Sequence, residues 1–298
     1  MNRNPLLLPI LAALLTAIPS PLPASDASIV AALRAKGAEV TEAKGEVVGV
    51  AFKSNTGLTA ADYAPLHKLP HLKSLSCGIG LDDAALKALA ALPALEMFST
   101  NGMTATDEGM ASLAGIKTLG SIAFFHPGKK FTGSGLAAFV NLPKLERLTV
   151  AGSTEFGDAG MAAVAKLTQL REFRTWHSGV TIEGVKKLRA LTNVRSIMLG
   201  QRLAYAPPAC VSDEALAIFA EMKSLEMLSV AEARLSLPAL KGLKQLPKLK
   251  RLTLDGIEMS EADLAALRQE LPQVEIKWTA PNEAATKRIN GIFPQTKR

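Results

Sequence analysis

The chain is poor in the residues that most chemistry needs. Two cysteines, four histidines, two tryptophans and two tyrosines are spread over 298 residues. No H-E-x-x-H, C-x-x-C or G-x-S-x-G arrangement occurs, and no glycine-rich phosphate loop follows a strand-like run. That argues against the common zinc, thiol-redox, serine-hydrolase and nucleotide sites, and no cofactor or metal is expected. His126 and His177 lie two repeat lengths apart, roughly 10 Å between strands, too far to share one zinc ion. Long apolar runs are also missing. The one candidate, Leu6 to Ile18, is shorter than the roughly 20 residues a bilayer needs. It follows Arg3 and precedes Leu22-Pro23-Ala24, the build of a secretory signal over residues 1–24. The expected protein is therefore exported, to the periplasm or beyond the cell, with no membrane span once the signal is removed.

An excess of one charge sign is absent from the body of the chain. The formal charge is +7. Arg3 holds one of these charges and Thr279–Arg298 a net of three, which leaves only three for residues 25–278. So balanced a body has no footprint for a phosphate backbone, and nucleic acid is not an expected partner. The last segment, 279–298, reads as a basic, disordered tail.

What is abundant is a repeated phrase: an apolar residue, two variable residues, and a second apolar residue leading into a strand-like run. It begins at Leu69, Leu92, Ile116, Leu142, Leu167, Leu191, Met222, Leu246 and Leu271, in steps of 23, 24, 26, 25, 24, 31, 24 and 25 residues. A fixed period in the twenties signals a stacked array. Three residues after each of the first eight phrases stands a core residue (Leu75, Phe98, Ile122, Leu148, Phe173, Ile197, Leu228, Leu252). Two further on stands another (Cys77, Thr100, Phe124, Val150, Thr175, Leu199, Val230, Leu254). A step of two puts both on one face of a strand. Identical register in every repeat predicts parallel stacking. Cys77 and Cys210 then lie over about 20 Å apart, beyond the reach of a disulfide.

The remainder of each repeat changes to helical spacing after Ser, Thr or Asp, as in Thr106-Asp-Glu-Gly-Met110, Gly157-Asp-Ala-Gly-Met161 and Thr181-Ile-Glu-Gly-Val185. The pattern resembles the leucine-rich-repeat family, in the variant reading T-D-x-G-L-x-x-L-x-x-L that occurs in many secreted bacterial proteins and is close to the ribonuclease-inhibitor-like and cysteine-containing subfamilies. The resemblance runs from Val47 to Trp278. It implies an α/β solenoid of nine to ten repeats, with a parallel sheet on the concave side and short helices on the convex side. It also implies a function in binding. The Asn or Cys that the family often keeps three residues after the second inward position is absent, so backbone or water must satisfy the loop amides. Residues 25–46 read as an N-terminal capping helix. Glu275-Ile276-Lys277-Trp278 shifts the register by one, and Trp278 is placed to cover the last core layer.

Most outward strand positions are small. The exceptions cluster in the fourth to seventh repeats: Phe125, Arg147, Glu172, Arg174, Trp176 and Met198. Aromatic residues, Met and Arg are enriched in interface cores. The two longest repeats, carrying His126–Phe131 and the loop around Tyr205, fall in the same stretch. These six residues, with Tyr205, form the candidate surface for a protein or cell-envelope macromolecule. Three alternatives remain: Arg147 and Glu172 merely pair with each other and Trp176 packs under the Tyr205 loop; His126, Asp158, His177 and Tyr205 assemble a hydrolytic or metal-dependent site; or the array is a structural spacer with no discrete site.

Overall fold

A computed structural model describes residues 22–203 and 207–293. Eleven strands lie in chain order in one sheet: β1 Ala38–Ala43, β2 Glu46–Ser54, β3 Ser74–Ile79, β4 Met97–Asn101, β5 Ser121–Phe125, β6 Arg147–Ser153, β7 Glu172–Ser178, β8 Ser196–Leu199, β9 Met227–Ala231, β10 Arg251–Asp255 and β11 Glu275–Thr279. From β2 onward every pairing is parallel, and helical segments alternate with the strands. This is an α/β leucine-rich-repeat solenoid.

The register explains why the repeats stack. Val50, Leu75, Phe98, Ile122, Leu148, Phe173, Ile197, Leu228, Leu252 and Ile276 stand side by side across ten strands, and all are buried. The second inward row runs from Phe52 through Cys77 and Phe124 to Leu254 and Trp278. A strand with only two inward side chains cannot bury them alone. Each repeat supplies half the core its neighbour needs. In the fourth and fifth repeats the core thickens into an aromatic stack, with Phe131 set between Phe124 (5.3 Å) and Phe156 (6.4 Å), all fully buried.

The loop amides at the strand ends are satisfied by backbone, as the missing Asn or Cys required. Gly102, His126, His177 and Glu232 donate to Phe125, Ala151, Gln201 and Asp255 in the following repeat at 2.8–2.9 Å. On the helical side a side-chain ladder appears that the sequence reading did not anticipate. Asp83 accepts from the amide and hydroxyl of Thr106 at 2.8 and 2.9 Å, and Asp158 does the same for Thr181 at 2.8 and 2.6 Å. Asp213 accepts from Ser236 N at 2.9 Å. Asp107 is the densest rung. It accepts from Thr132 N and Oγ1, Gly133 N, Ser134 Oγ and Gly135 N at 2.6–3.1 Å. The glycine of T-D-x-G has its reason here: a Cβ on Gly109 or Gly184 would lie 2.2 or 2.4 Å from the preceding repeat's Asp83 or Asp158 oxygen.

Both ends differ from expectation. Residues 25–46 are not a helix alone. A helix, Ala24–Ala35, is followed by β1, which pairs antiparallel with β2 through Lys44 and Gly45, both in the left-handed region. Two consecutive positive φ angles are the geometry of a tight hairpin turn. At the other end, Glu283–Ile292 forms a helix where a disordered tail was expected. Asn282 caps it by accepting from Ala285 N at 2.9 Å, and Ala285, Ile289 and Ile292 are buried at helical spacing. Its basic residue Arg288 pairs with Glu232, while Arg234 reaches Asn290 Oδ1 and Phe293 O at 3.0 and 2.8 Å. Composition suggested a solvated end; three apolar residues on one face and two arginines with partners order it. The expected register shift at Glu275 is absorbed in the turn, since Leu252 still faces Ile276 and Leu254 faces Trp278. Trp278 packs against the core and donates to Ile257 O at 2.8 Å.

The signal reading of residues 1–24 falls almost wholly outside the described residues, as does Tyr205. No helix among the described residues is long and apolar enough to cross a membrane. Cys77 and Cys210 are both free and buried, and burial pushes each thiol up to about 12. The expected result of a thiol titration is no rapid reaction in the native protein and two equivalents after denaturation; fast labelling of either native thiol would contradict this burial.

Candidate functional site

The surface row at the C-terminal ends of the middle strands sets large residues against small ones. Phe125, Ala151 and Trp176 stand in register on β5, β6 and β7, with Gly200 next to Trp176 just beyond β8. Ala151 is buried beneath its neighbours, and its single methyl lets two rings that are two strands apart meet at 6.1 Å, tilted by 54°. On the far side, a Cβ at Gly200 would lie 2.5 Å from Trp176 Cβ. The indole is therefore held between a neighbouring ring and a position where only glycine fits.

Arg174, two residues before Trp176 on the same face, lies with its guanidinium carbon 5.7 Å from the indole centroid. Such a cation–π contact contributes about 0.5–1 kcal/mol at an exposed site. Arg174 Nη2 sits 3.4 Å from Met198 Sδ, and Nε lies 3.9 Å from Glu172 Oε1. The structure thus gathers Phe125, Glu172, Arg174, Trp176 and Met198 into one half-exposed cluster. Arg147 belongs to the same face but not to this knot. No ion pair joins it to Glu172 among the described residues; Glu172 turns instead to the arginine two positions along its own strand. The packing explanation based on an Arg147–Glu172 pair therefore fails.

Of the residues of the catalytic alternative, the three that are described, His126, Asp158 and His177, are engaged separately. His126 Nδ1 is 3.0 Å from Asn101 Oδ1, and Asp158 is taken up by Thr181 in the helix-side ladder. His177 Nε2 lies 3.7 Å from Glu232 Oε2. Burial alone would raise the Glu232 carboxyl, but His177 and Arg288 hold it below its ordinary value. His126, His177 and Glu232 all have left-handed backbones at corresponding strand ends, where Gly102, Gly152 and Gly256 stand in other repeats. No group of His, Cys, Asp and Glu among the described residues is arranged to hold a metal ion.

Two features near the cluster escaped the sequence reading. The helix Glu283–Ile292 reaches Glu232, and through it His177, the neighbour of Trp176. A hollow of about 450 Å³ opens at the starts of β4–β6, with Arg147 and Lys144 in its wall. Lys144 sits in the variable part of a phrase, where sequence alone gives no reason to single it out.

No family model matches the chain, and no curated protein matches it in sequence. Solved structures do resemble it. An internalin (InlF) from Listeria monocytogenes aligns at 16% identity and TM-score 0.46, covering 77% of this chain and 68% of its own. Internalin C2 from the same species aligns at 16% identity and TM-score 0.44, covering 84% and 92%. The Toll–Spatzle complex of Drosophila aligns at 11% identity and TM-score 0.52, over 78% of this chain and 31% of that one. The likeness is one of fold.

Proposed function

We propose that the chain is an exported, non-enzymatic scaffold that recognises a protein or other macromolecular partner through its concave face, in the periplasm or outside the cell. The observation carrying this reading is the row Phe125–Ala151–Trp176–Gly200, which places two half-exposed aromatic rings and an arginine on a rigid sheet. Aromatic residues and Arg on a rigid support are the usual anchors of interface energy: the rings bury much area at little entropic cost, and the guanidinium adds directional hydrogen bonds. A face this uneven also speaks against a plain spacer.

Cross-linked pull-down from the native envelope is the direct test. Trp176→Ala and Arg174→Ala are each expected to reduce recovery of the partner about tenfold, the loss from an anchor worth roughly 1.4 kcal/mol. The thermal midpoint is expected to stay nearly unchanged, since both side chains stand on the outer face. Equal recovery by wild type and both variants would reject the reading.

A further inference from the structure

The partner's chemistry is indicated beside the aromatic pair. The hollow at the starts of β4, β5 and β6 is lined by the apolar Pro93, Ala94 and Met97 together with Glu96, Lys144 and Arg147. Its charges are unequal. Glu96 is already paired with Lys73 at 3.2 Å, whereas neither Lys144 nor Arg147 has an ion-pair partner among the described residues. Both cations are exposed, and Glu146 between them in sequence does not line the hollow. Two uncommitted cations sharing a hollow with apolar side chains form a receptor for a carboxylate carried on an apolar stem.

This hollow lies on the same face of the sheet as the aromatic cluster. Met97, Ser121 and Arg147 stand in register at the strand starts, and Asn101, Phe125 and Ala151 stand in register four residues on. Four residues of strand span about 13 Å. Beyond Phe125 the loop presents Lys129 and Lys130, both exposed. Along β5–β6 the face therefore reads basic hollow, aromatic pair, basic loop, while Glu172 is occupied by Arg174. Charge complementarity of this kind selects partners and steers encounter.

We propose that the hollow is an anion subsite, and that the occupant of this face is an acidic polypeptide segment. One of its carboxylates is held by Lys144 and Arg147, and its apolar or aromatic side chain lies on Phe125 and Trp176. The inference rests on the partner-binding reading above and adds the class of partner.

The test measures binding of the full chain to immobilised random copolymers and polysaccharides. A glutamate–tyrosine copolymer is expected to bind saturably, and Lys144→Ala and Arg147→Ala each to weaken that binding about tenfold. Raising salt from 50 to 500 mM should weaken it further by screening. Trp176→Ala should weaken the copolymer but leave residual binding to polyglutamate unchanged. No saturable copolymer binding, or binding indifferent to Lys144→Ala and Arg147→Ala, overturns the inference. Dextran sulfate binding as tightly, with the same dependence on both cations, also overturns it and assigns the face to anionic polysaccharide. The two readings separate cleanly in the native pull-down. If Trp176→Ala loses the partner while both cation variants keep it, the scaffold reading stands and the acidic-partner inference falls. If neither Trp176→Ala nor Arg174→Ala has an effect there, the scaffold reading itself falls.

Discussion

Replacing Asp107 with alanine is expected to lower stability by about 3 kcal/mol and the thermal midpoint by roughly 6–12 °C. The carboxylate accepts five hydrogen bonds, three from backbone amides of the next repeat, Thr132, Gly133 and Gly135. A bond to a charged group contributes about 1.5–3 kcal/mol, but bonds sharing one acceptor do not add in full. Alanine leaves those amides without their acceptor inside a joint between repeats. In an array where each unit contacts only its neighbours, weakening one joint broadens unfolding or splits it into two steps. Thermal scans of Asp107→Ala beside Asp158→Ala check this. Asp158 accepts only two bonds, so its loss should cost clearly less.

The same carboxyl sets a pH dependence. Burial works to raise it, yet Thr132, Gly135 and Ser134 hold it below the ordinary aspartate value. A depressed native value means that the stabilisation is complete above the unfolded value of about 3.9 and is lost as pH falls through the native one. The difference between wild type and Asp107→Ala should therefore be constant near neutrality and shrink below about pH 4. A gap that persists into strong acid would mean that the alanine acts through packing alone.

Phe131→Ala is expected to cost about 3–5 kcal/mol, the usual range for deleting a buried ring. Phe131 is fully buried between Phe124 and Phe156, although it comes from a loop rather than a strand. The space around Phe156 is already tight: a Cβ on Gly133 or Gly160 would meet its ring at 2.4 or 2.5 Å, so little is free to collapse into the cavity. Hydrogen exchange should show the loss first at Phe131 N, which donates to Gly128 O at 3.0 Å. Phe131→Leu, which refills most of the volume, should recover over half of the lost stability. If the alanine and leucine variants were equally stable, the ring would not be the wedge described.

The solenoid was legible because two signals coincide. The phrase fixes where each strand begins, and the step of two fixes which residues point inward, from Leu75 and Cys77 to Leu252 and Leu254. Trp176 and Arg174 were legible as outward residues for the same reason. Their mutual arrangement was not, because it depends on how small Ala151 and Gly200 are, and small residues in a bland column draw no notice. The aspartate ladder left a trace in the recurring T-D-x-G. Helix capping explained the aspartate locally and hid its reach into the next repeat. The C-terminal helix was missed because its order comes from Glu232 and Arg234, fifty-odd residues away in the chain. No local pattern announces such partners. Lys144 and Arg147 share a hollow only because three strand starts are aligned.

The left-handed positions at the strand ends have a consequence for anyone wishing to rebuild this chain. His126 stands between Gly102 and Gly152, and a side chain at 152 would run into its imidazole at 2.4 Å. Trp176 and Gly200, like Asp83 and Gly109, are matched across neighbouring repeats in the same way. The repeats are thus not interchangeable modules: shuffling, deleting or grafting a single one separates a bulky residue from the glycine that makes room for it. A shortened or extended version should be cut in adjacent pairs, with each glycine travelling beside the side chain it accommodates.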